Sequence, residues 1–353
     1  MFAPRTGGPT AAARQEGVTL HRLTRRTGLV LLGCLALILG LAACGSSSSS
    51  SSSTDSSSAV AGSSSSASAP DSAAAAAAIK PYVDQPSAFP VTEPLKSIKK
   101  GATVAFMDCG TPICGLFWQL LQPAAQTMGV KLTHYKAGSA ANTVTQAYDS
   151  VVSAKPDAVI ATATDVELWK NQLKQLQAAN VPVVTTGILG TAKYGIKAAQ
   201  AAEAASELEG KLLADYSAAN FSSDTSVALY DVPELSFTAL VRQAYQDELG
   251  KVCPRCTVRV VHIPVATMGN TAPQAIVSDL QAHPDTKLAV FTIDEIENGL
   301  PAALQSAGVK AHTLGNSPSP TELEYLKEGK ESAVLAVDLP VLGWTLLDQA
   351  ARQ

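Results

Sequence analysis

The 353-residue sequence has no apolar run long enough to cross a bilayer as a helix, which takes roughly twenty residues. Its longest such run, Gly28 to Leu41, has fourteen. Behind the basic flank His21-Arg22-Leu23-Thr24-Arg25-Arg26, that length reads as the core of an export signal and not as a membrane span. A basic stripe is also missing. The chain has 26 Lys and Arg against 30 Asp and Glu, for a net charge of −4, so nucleic acid is excluded as a partner class. There is no Gly-x-Ser-x-Gly elbow, no phosphate-cradling glycine loop and no His-Glu-x-x-His pair. Those absences argue against the common hydrolytic, nucleotide-dependent and zinc-dependent chemistries. Neither a cofactor nor a metal is called for. Asp231 and Glu234 lie at the end of a strand-like run where two carboxylates could do acid–base work. They read instead as ligand- or solvent-facing, and the chain is not expected to be an enzyme.

What is present is sharply segmented. The apolar run ends in Leu41-Ala42-Ala43-Cys44-Gly45. Small residues directly before a Cys resemble the bacterial lipobox. That resemblance implies cleavage before Cys44 and a diacylglycerol on its thiol. Loss of residues 1–43 would remove Arg5, Arg14, Arg22, Arg25 and Arg26 against Glu16, leaving a mature chain more acidic by about four charges. Arg25-Arg26 leaves the general and the twin-arginine export routes both open.

Residues 45–78 are almost entirely Ser and Ala. Such a segment has no apolar periodicity and cannot bury enough surface to offset ordering entropy, so it reads as a flexible tether. About fifty residues of tether give a reach on the order of 40 Å. Pro81, Pro86, Pro90 and Pro94 mark an extended lead-in, and the globular part begins near Lys100.

From there strands and helices alternate. Thr103 to Met107, Lys131 to Tyr135, Asp157 to Ala161 and Val181 to Thr185 are strand-like. Helical spacing fills Leu116 to Met128, Thr143 to Ser153 and Val166 to Ala179. The pattern restarts with strands Ser226 to Tyr230, Thr257 to Val261, Leu288 to Phe291, His312 to Leu314 and Ala333 to Ala336. Between them lie helices Phe237 to Leu249, Ala272 to Ala282, Ile296 to Ser306 and Thr321 to Lys327. Alternation of this kind implies right-handed crossovers and parallel sheets covered on both faces. So many units exceed one sheet. The expected fold class is α/β: two doubly wound parallel-sheet lobes joined by a hinge, preceded by a disordered N-terminal tether. Ligands bind outside the carboxyl ends of such strands, so facing lobes would share one cleft.

Several stretches carry a more specific resemblance. They are Val181-Pro182-Val183-Val184-Thr185, Gly210-Lys211-Leu212-Leu213-Ala214-Asp215-Tyr216, and Phe291-Thr292-Ile293-Asp294-Glu295 followed by Ala303-Leu304-Gln305-Ser306-Ala307-Gly308, then Leu326-Lys327-Glu328-Gly329-Lys330. In this order and spacing they resemble the type 1 periplasmic binding protein family, of the ribose-binding kind, from about Gly101 to the end. The resemblance implies an extracytoplasmic, lipid-anchored binder that captures a sugar or sugar-like molecule for an ABC importer and docks on its membrane permease. The alternative is a ligand-sensing lipoprotein that presents its closed state to a membrane receptor. The implied layout is a signal peptide over 1–43, a tether over 44–99, a first lobe over 100–200, a second over 201–337, and an incomplete return to the first lobe over 338–353. The chain stops at Gln353 inside a helical pattern, where family members continue, and it is therefore expected to be a truncated member.

The family's ligand positions map here onto unusual residues. Where an Asn, a Pro and two aromatics are usual, the chain has Thr111, Pro112, Ile113 and Cys114, with Phe117 and Trp118 one helical turn on. Gly187 and Ile188 stand where an Asp and an Arg grip hydroxyls. Ile293 replaces an Asn, and Ser317 an Asp. Asp338 takes the place of the last polar contact, and Arg242 stands near an Arg donated by the second lobe's first helix. Asp294 opens a helix, where it either caps free N–H groups or touches ligand. With most charged sugar-gripping groups missing, a simple monosaccharide is not expected. The expected ligand needs fewer hydroxyl-directed contacts, as a modified sugar, nucleoside-like or amphipathic compound would.

Four cysteines remain beyond Cys34 and Cys44: Cys109 with Cys114, and Cys253 with Cys256. In an exported chain two local disulfides are expected. A shared zinc site would need all four to converge from distant parts of the chain. His134 and His262 show no partner spacing and are expected as exposed strand residues.

Overall fold

The structure, a computed structural model, describes residues 72–83 and 91–353. The signal segment, Cys44 and most of the Ser/Ala tract lie outside these residues.

Two five-stranded parallel sheets are present. The first contains β1 (Thr103–Asp108), β2 (Lys131–Lys136), β3 (Ala158–Thr162), β4 (Val183–Thr186) and β5 (Ala198–Gln200), ordered β2-β1-β3-β4-β5. The second contains β6 (Ser226–Asp231), β7 (Thr257–His262), β8 (Leu288–Phe291), β9 (His312–Asn316) and β10 (Ala333–Leu335), ordered β10-β9-β8-β6-β7. Central strands are short continuous apolar runs because both of their faces are covered. Every residue of β3, β4 and β8 is buried. The edge strands β2 and β7 keep exposed ends.

Helices α2 (Pro112–Met128), α3 (Ala141–Ala154) and α4 (Lys170–Ala178) carry the crossovers of the first lobe. Helices α5 (Glu203–Asn220), α6 (Ser236–Val252), α7 (Ala272–Ala282), α8 (Leu300–Ala307) and α9 (Pro320–Lys327) belong to the second. The chain leaves the first sheet through β5 and returns to it as α10 (Leu339–Arg352), which packs on α2. Leu346 and Leu347 of α10 are buried among Phe106, Phe117, Leu121 and Ile160. Each lobe has two apolar layers, one on each face of its sheet. Strand order reverses between β1 and β3 and between β6 and β8, which opens a crevice at the carboxyl end of each sheet.

Three expectations need correction. The segment read as tether and lead-in contains a helix, α1 (Ser72–Val83). Its Ala run has the highest intrinsic helix propensity, and its small side chains allow close approach. Ala75 is buried against Leu213, Ala214 and Ala218 of α5, and that packing supplies what an isolated helix of this length lacks. Pro81 accordingly sits in the last turn of a helix and not in an extended strand. The helix read as Val166 to Ala179 is broken at Trp169, whose indole Nε1–H donates to the Thr164 carbonyl at 3.0 Å and whose ring stacks on Tyr148 at 4.3 Å. A 3₁₀ turn, Val166–Leu168, precedes it. The helix read as Ile296 to Ser306 begins only at Leu300, because Gly299 holds a left-handed φ of 89°. Before it lies a 3₁₀ turn, Asp294–Glu297.

Candidate functional site

The carboxyl ends of the two sheets face a partly open cavity of about 90 Å³. From the first lobe Ile113, Cys114 and Phe117 reach it from the start of α2. Thr162 and Ala163 follow β3, and Thr186 and Gly187 follow β4. The second lobe contributes Ser206 and Glu209 from the first turns of α5, Phe237 from the first turn of α6, Ile293 after β8 and Ser317 after β9. Ala201 on the outgoing crossing, and Val337, Leu339 and Leu342 on the returning one, complete the wall. Both crossings therefore line the same space. Ala163, Gly187, Ala201 and Ser317 all have positive φ. Such sharp turns at strand ends cost energy for residues with a Cβ and occur where the backbone must approach a shared space. Wider depressions of about 420 and 640 Å³ lie at the opposite, amino ends of the strands, around Pro182 and around Lys287.

The lining is mainly apolar. Its polar groups are four hydroxyls and one carboxyl. The Thr162 hydroxyl donates to the Met107 carbonyl at 2.6 Å, leaving lone pairs for a donor. The hydroxyls of Thr186, Ser206 and Ser317 make no hydrogen bond among the described residues and can both donate and accept. Glu209 accepts from Asn316 Nδ2 at 3.1 Å. Burial pushes its carboxyl above the usual range, and the Asn316 bond only partly offsets that.

Two contacts draw the lobes together across the crevice. The Ile113 amide, at the start of α2, donates to Glu295 Oε1 from the turn after β8. Burial pushes Glu295 up to about 7, against the Ile113 amide, which lowers it. Nearby, the Ser236 hydroxyl donates to Asp165 Oδ1 at 2.7 Å. A disulfide between Cys109 and Cys114 pins the loop that turns β1 into α2. A second, Cys253–Cys256, lies between α6 and β7, away from the cavity.

Ile113, Phe117, Gly187 and Ser317, singled out in the sequence, meet at the cavity. Thr111 does not line it but stands at the start of α2, beside Glu295. Asp294 is turned away and fully buried behind the cavity, and it forms neither a cap nor a cavity wall. Gly315, with no Cβ, leaves room there for its carboxylate. Asp338 is exposed and accepts from the Val341 amide at 3.0 Å, so it caps α10 and its neighbours Val337 and Leu339 line the cavity. Arg242 is consumed by an ion pair with Asp231 at 3.0 Å, since α6 aims it at the end of β6. Asp231 is also approached by His262 at 3.5 Å, while exposed Glu234 accepts from the Val265 amide at 3.3 Å, so the two carboxylates do not form an acid–base pair. His134 is not an exposed strand residue: it pairs with Asp108 at 2.7 Å and stacks on Trp118 at 4.4 Å, because α2 covers that edge of the sheet. Sequence reading missed Ser206, Glu209 and Phe237. Their only signal is position: each lies in the first two turns of a helix that starts at the cleft end of its lobe.

The profile of a family described as Periplasmic binding protein domain matches residues 104–353. No curated protein sequence matches the chain. Among solved structures, a solute-binding protein of an ABC transporter from Agrobacterium vitis, with bound allitol, superposes with a TM-score of 0.63 at 17% identity, covering 72% of this chain and 89% of its own. Another from the same organism, bound with alpha-D-tagatopyranose, gives 0.61 at 21% identity over 70% of this chain and 87% of its own. A periplasmic sugar-binding protein of an ABC transporter from Legionella pneumophila gives 0.63 at 13% identity over 70% and 93%. At these identities the superpositions establish a shared fold. Among the described residues no helix is long and apolar enough to cross a membrane.

Proposed function

Since the chain belongs to the periplasmic binding protein domain family, we propose that it captures a small molecule, a sugar or sugar-like compound, outside the cytoplasm and hands it to an ABC importer. The observation that carries this is the cavity at the meeting of both sets of strand ends, walled in part by both hinge crossings. A ligand there touches both lobes and the hinge together, so its binding energy favours the closed arrangement over an open one. The cavity, about 90 Å³, is below the 300–1,000 Å³ of ordinary ligand sites. A sugar-sized guest enters only when the lobes part, and closure over it then presents a distinct surface to a permease.

The lining bears on which guest. Phe117, Phe237, Ile113 and Ile293 offer apolar faces, against four hydroxyls and Glu209. A ligand hydroxyl left unpaired on burial costs about 1–3 kcal/mol. A fully hydroxylated pyranose is therefore disfavoured relative to a compound with one apolar face, such as a deoxy or alkylated sugar. Cys44, after Leu41-Ala42-Ala43, would carry the lipid that holds the protein at the membrane.

Mass spectrometry of small molecules released from the purified protein tests the reading, followed by calorimetry with the identified compound. Phe237→Ala should weaken its binding at least tenfold, about 1.4 kcal/mol, because the ring is the second lobe's main apolar wall. Recovery of a chemically altered compound after incubation would point to an enzyme. Full affinity in the Phe237→Ala variant would move the site elsewhere.

A further inference from the structure

Ligand capture leaves one group of residues in the second lobe without a use. Asp294 and Glu297 come from the 3₁₀ turn after β8, and Glu331 from the stretch between α9 and β10. Their exposures are 0%, 0% and 4%. One oxygen from each lies within 4.8 Å of the others. None of the carboxylate oxygens of these three residues has a hydrogen-bond partner of good geometry, although the Gly315 amide lies near Glu331 and the Glu297 and Glu331 carboxyls lie close enough to share a proton. No Lys, Arg or His among the described residues pairs with them.

A fourth buried carboxylate lies close enough for its charge to reach them. Glu322 of α9 is 0% exposed. Its Oε2 accepts from the Ser319 amide at 2.9 Å, closing the cap of α9, while its Oε1 has no partner. Asp294, Glu297 and Glu331 all feel its charge. The backbone has made room for the group: a Cβ on Gly315 would come within 1.9 Å of Asp294 Oδ1. Gly315 does not have a positive φ, so its role is space and not conformational freedom.

Converging buried carboxylates are costly in their charged form unless a cation or protons neutralise them. Oxygens all within 4.8 Å of one another are close enough to share one ion at bonds of about 2.4 Å. The donors are hard oxygens only, with no nitrogen or sulfur, which selects the calcium, magnesium and manganese class. Magnesium usually keeps several of its waters, whereas calcium accepts an all-protein, partly bidentate shell. We propose that Asp294, Glu297 and Glu331, with Glu322 beside them, bind one calcium ion. The ion would anchor from behind the turn that carries Ile293 into the cavity and Glu295 to the first lobe.

The full chain is stripped with chelator and equilibrated by dialysis against ⁴⁵Ca²⁺, with thermal unfolding followed in parallel. The expected result is one calcium per chain and a midpoint several degrees higher with the ion than without it. The double substitution E297Q/E331Q keeps the shape of both side chains and should lower calcium affinity at least a hundredfold. It also removes buried charge, so its unfolding midpoint without calcium should be no lower than that of the stripped wild type. No stoichiometric uptake by the wild type would overturn the proposal, leaving protons as what neutralises the cluster. Uptake unchanged in E297Q/E331Q would overturn the location, and tighter binding of Mg²⁺ or Mn²⁺ than of Ca²⁺ would overturn the choice of ion.

Discussion

Gly210→Ala should destabilise the second lobe and loosen the cleft, although alanine is the better helix former. Gly210 lies where α5 meets α6. A Cβ added there would stand 2.3 Å from the Val241 carbonyl oxygen, 2.7 Å from Ala244 Cβ and 2.8 Å from the Tyr245 nitrogen. Two of these three atoms are backbone, so no side-chain rotation relieves the overlap and the helices must move apart. Exchanging Gly for Ala in a helix interior gains up to about 1 kcal/mol. Overpacking a tight contact costs about 1–3 kcal/mol and sometimes more. Separation also strains the Ser217–Tyr245 hydroxyl contact at 3.0 Å, for about 1 kcal/mol more. The net expectation is a loss of about 2 kcal/mol, or roughly 3–4 °C in midpoint for a chain of this size. Urea unfolding should show a lower midpoint at unchanged slope. Ligand affinity should fall as well, because the displaced helix carries Ser206 and Glu209. A Gly210→Ala protein as stable as the wild type would refute the reasoning, since propensity would then have outweighed a contact too close to tolerate a methyl.

Four other outcomes are expected. Burial, with Glu248 nearby, pushes Asp215 up to about 6, so the native state gives up its proton only at a cost, and stability contributed below about pH 4 is lost as pH rises through 6. Asp215→Asn should therefore gain about 1–2 kcal/mol at pH 7.5, a figure reduced for screening by Lys251 and solvent, and nothing at pH 4; an equal gain at both pH values in urea titrations would contradict this. Asp338→Ala should cost about 1 kcal/mol through the lost cap of α10 while leaving calorimetric affinity unchanged; a tenfold weaker affinity would restore it to the site. Replacing Cys253 and Cys256 by Ser opens only a short loop and should cost about 2 kcal/mol or less on the chain-entropy model without altering ligand binding, whereas the same change at Cys109 and Cys114 should weaken binding because Cys114 lines the cavity. Cys44→Ala should release the protein from the membrane fraction, and unchanged membrane association on fractionation would remove the lipid anchor from the proposal.

The strands were legible because buried parallel strands are written locally. Val183 to Thr186 and Leu288 to Phe291 are short apolar runs, and nothing else of that length and spacing competes. Helix boundaries were less legible where a single side chain decided them from outside. Trp169 breaks one helix by packing on Tyr148, a partner from α3. Within the site, Ile113, Phe117, Gly187 and Ser317 could be placed because each follows or opens an element whose strand was already evident. Asp338 was misplaced by one residue's worth of geometry, its neighbours facing the cavity while it turned out to cap α10.

By itself the sequence determined the α/β alternation, the two-lobe economy and the family, since apolar periodicity, glycine stops and short family-like stretches act within a dozen residues. Only the tertiary structure decided which polar groups have partners. The Ala-rich segment became α1 because α5 offered a surface for Ala75. His134 acquired Asp108 and Trp118, Arg242 was taken by Asp231, and Asp294 was drawn among Glu297, Glu322 and Glu331. Apart from Asp294 and Glu297, which are neighbours in one turn, these charge and ring pairings join residues 11 to 37 positions apart, and Ala75 lies more than a hundred positions from its partners on α5. Chain order carries no record of such distances, because electrostatic and packing partners are chosen by how sheets and crossovers bring elements together after they form.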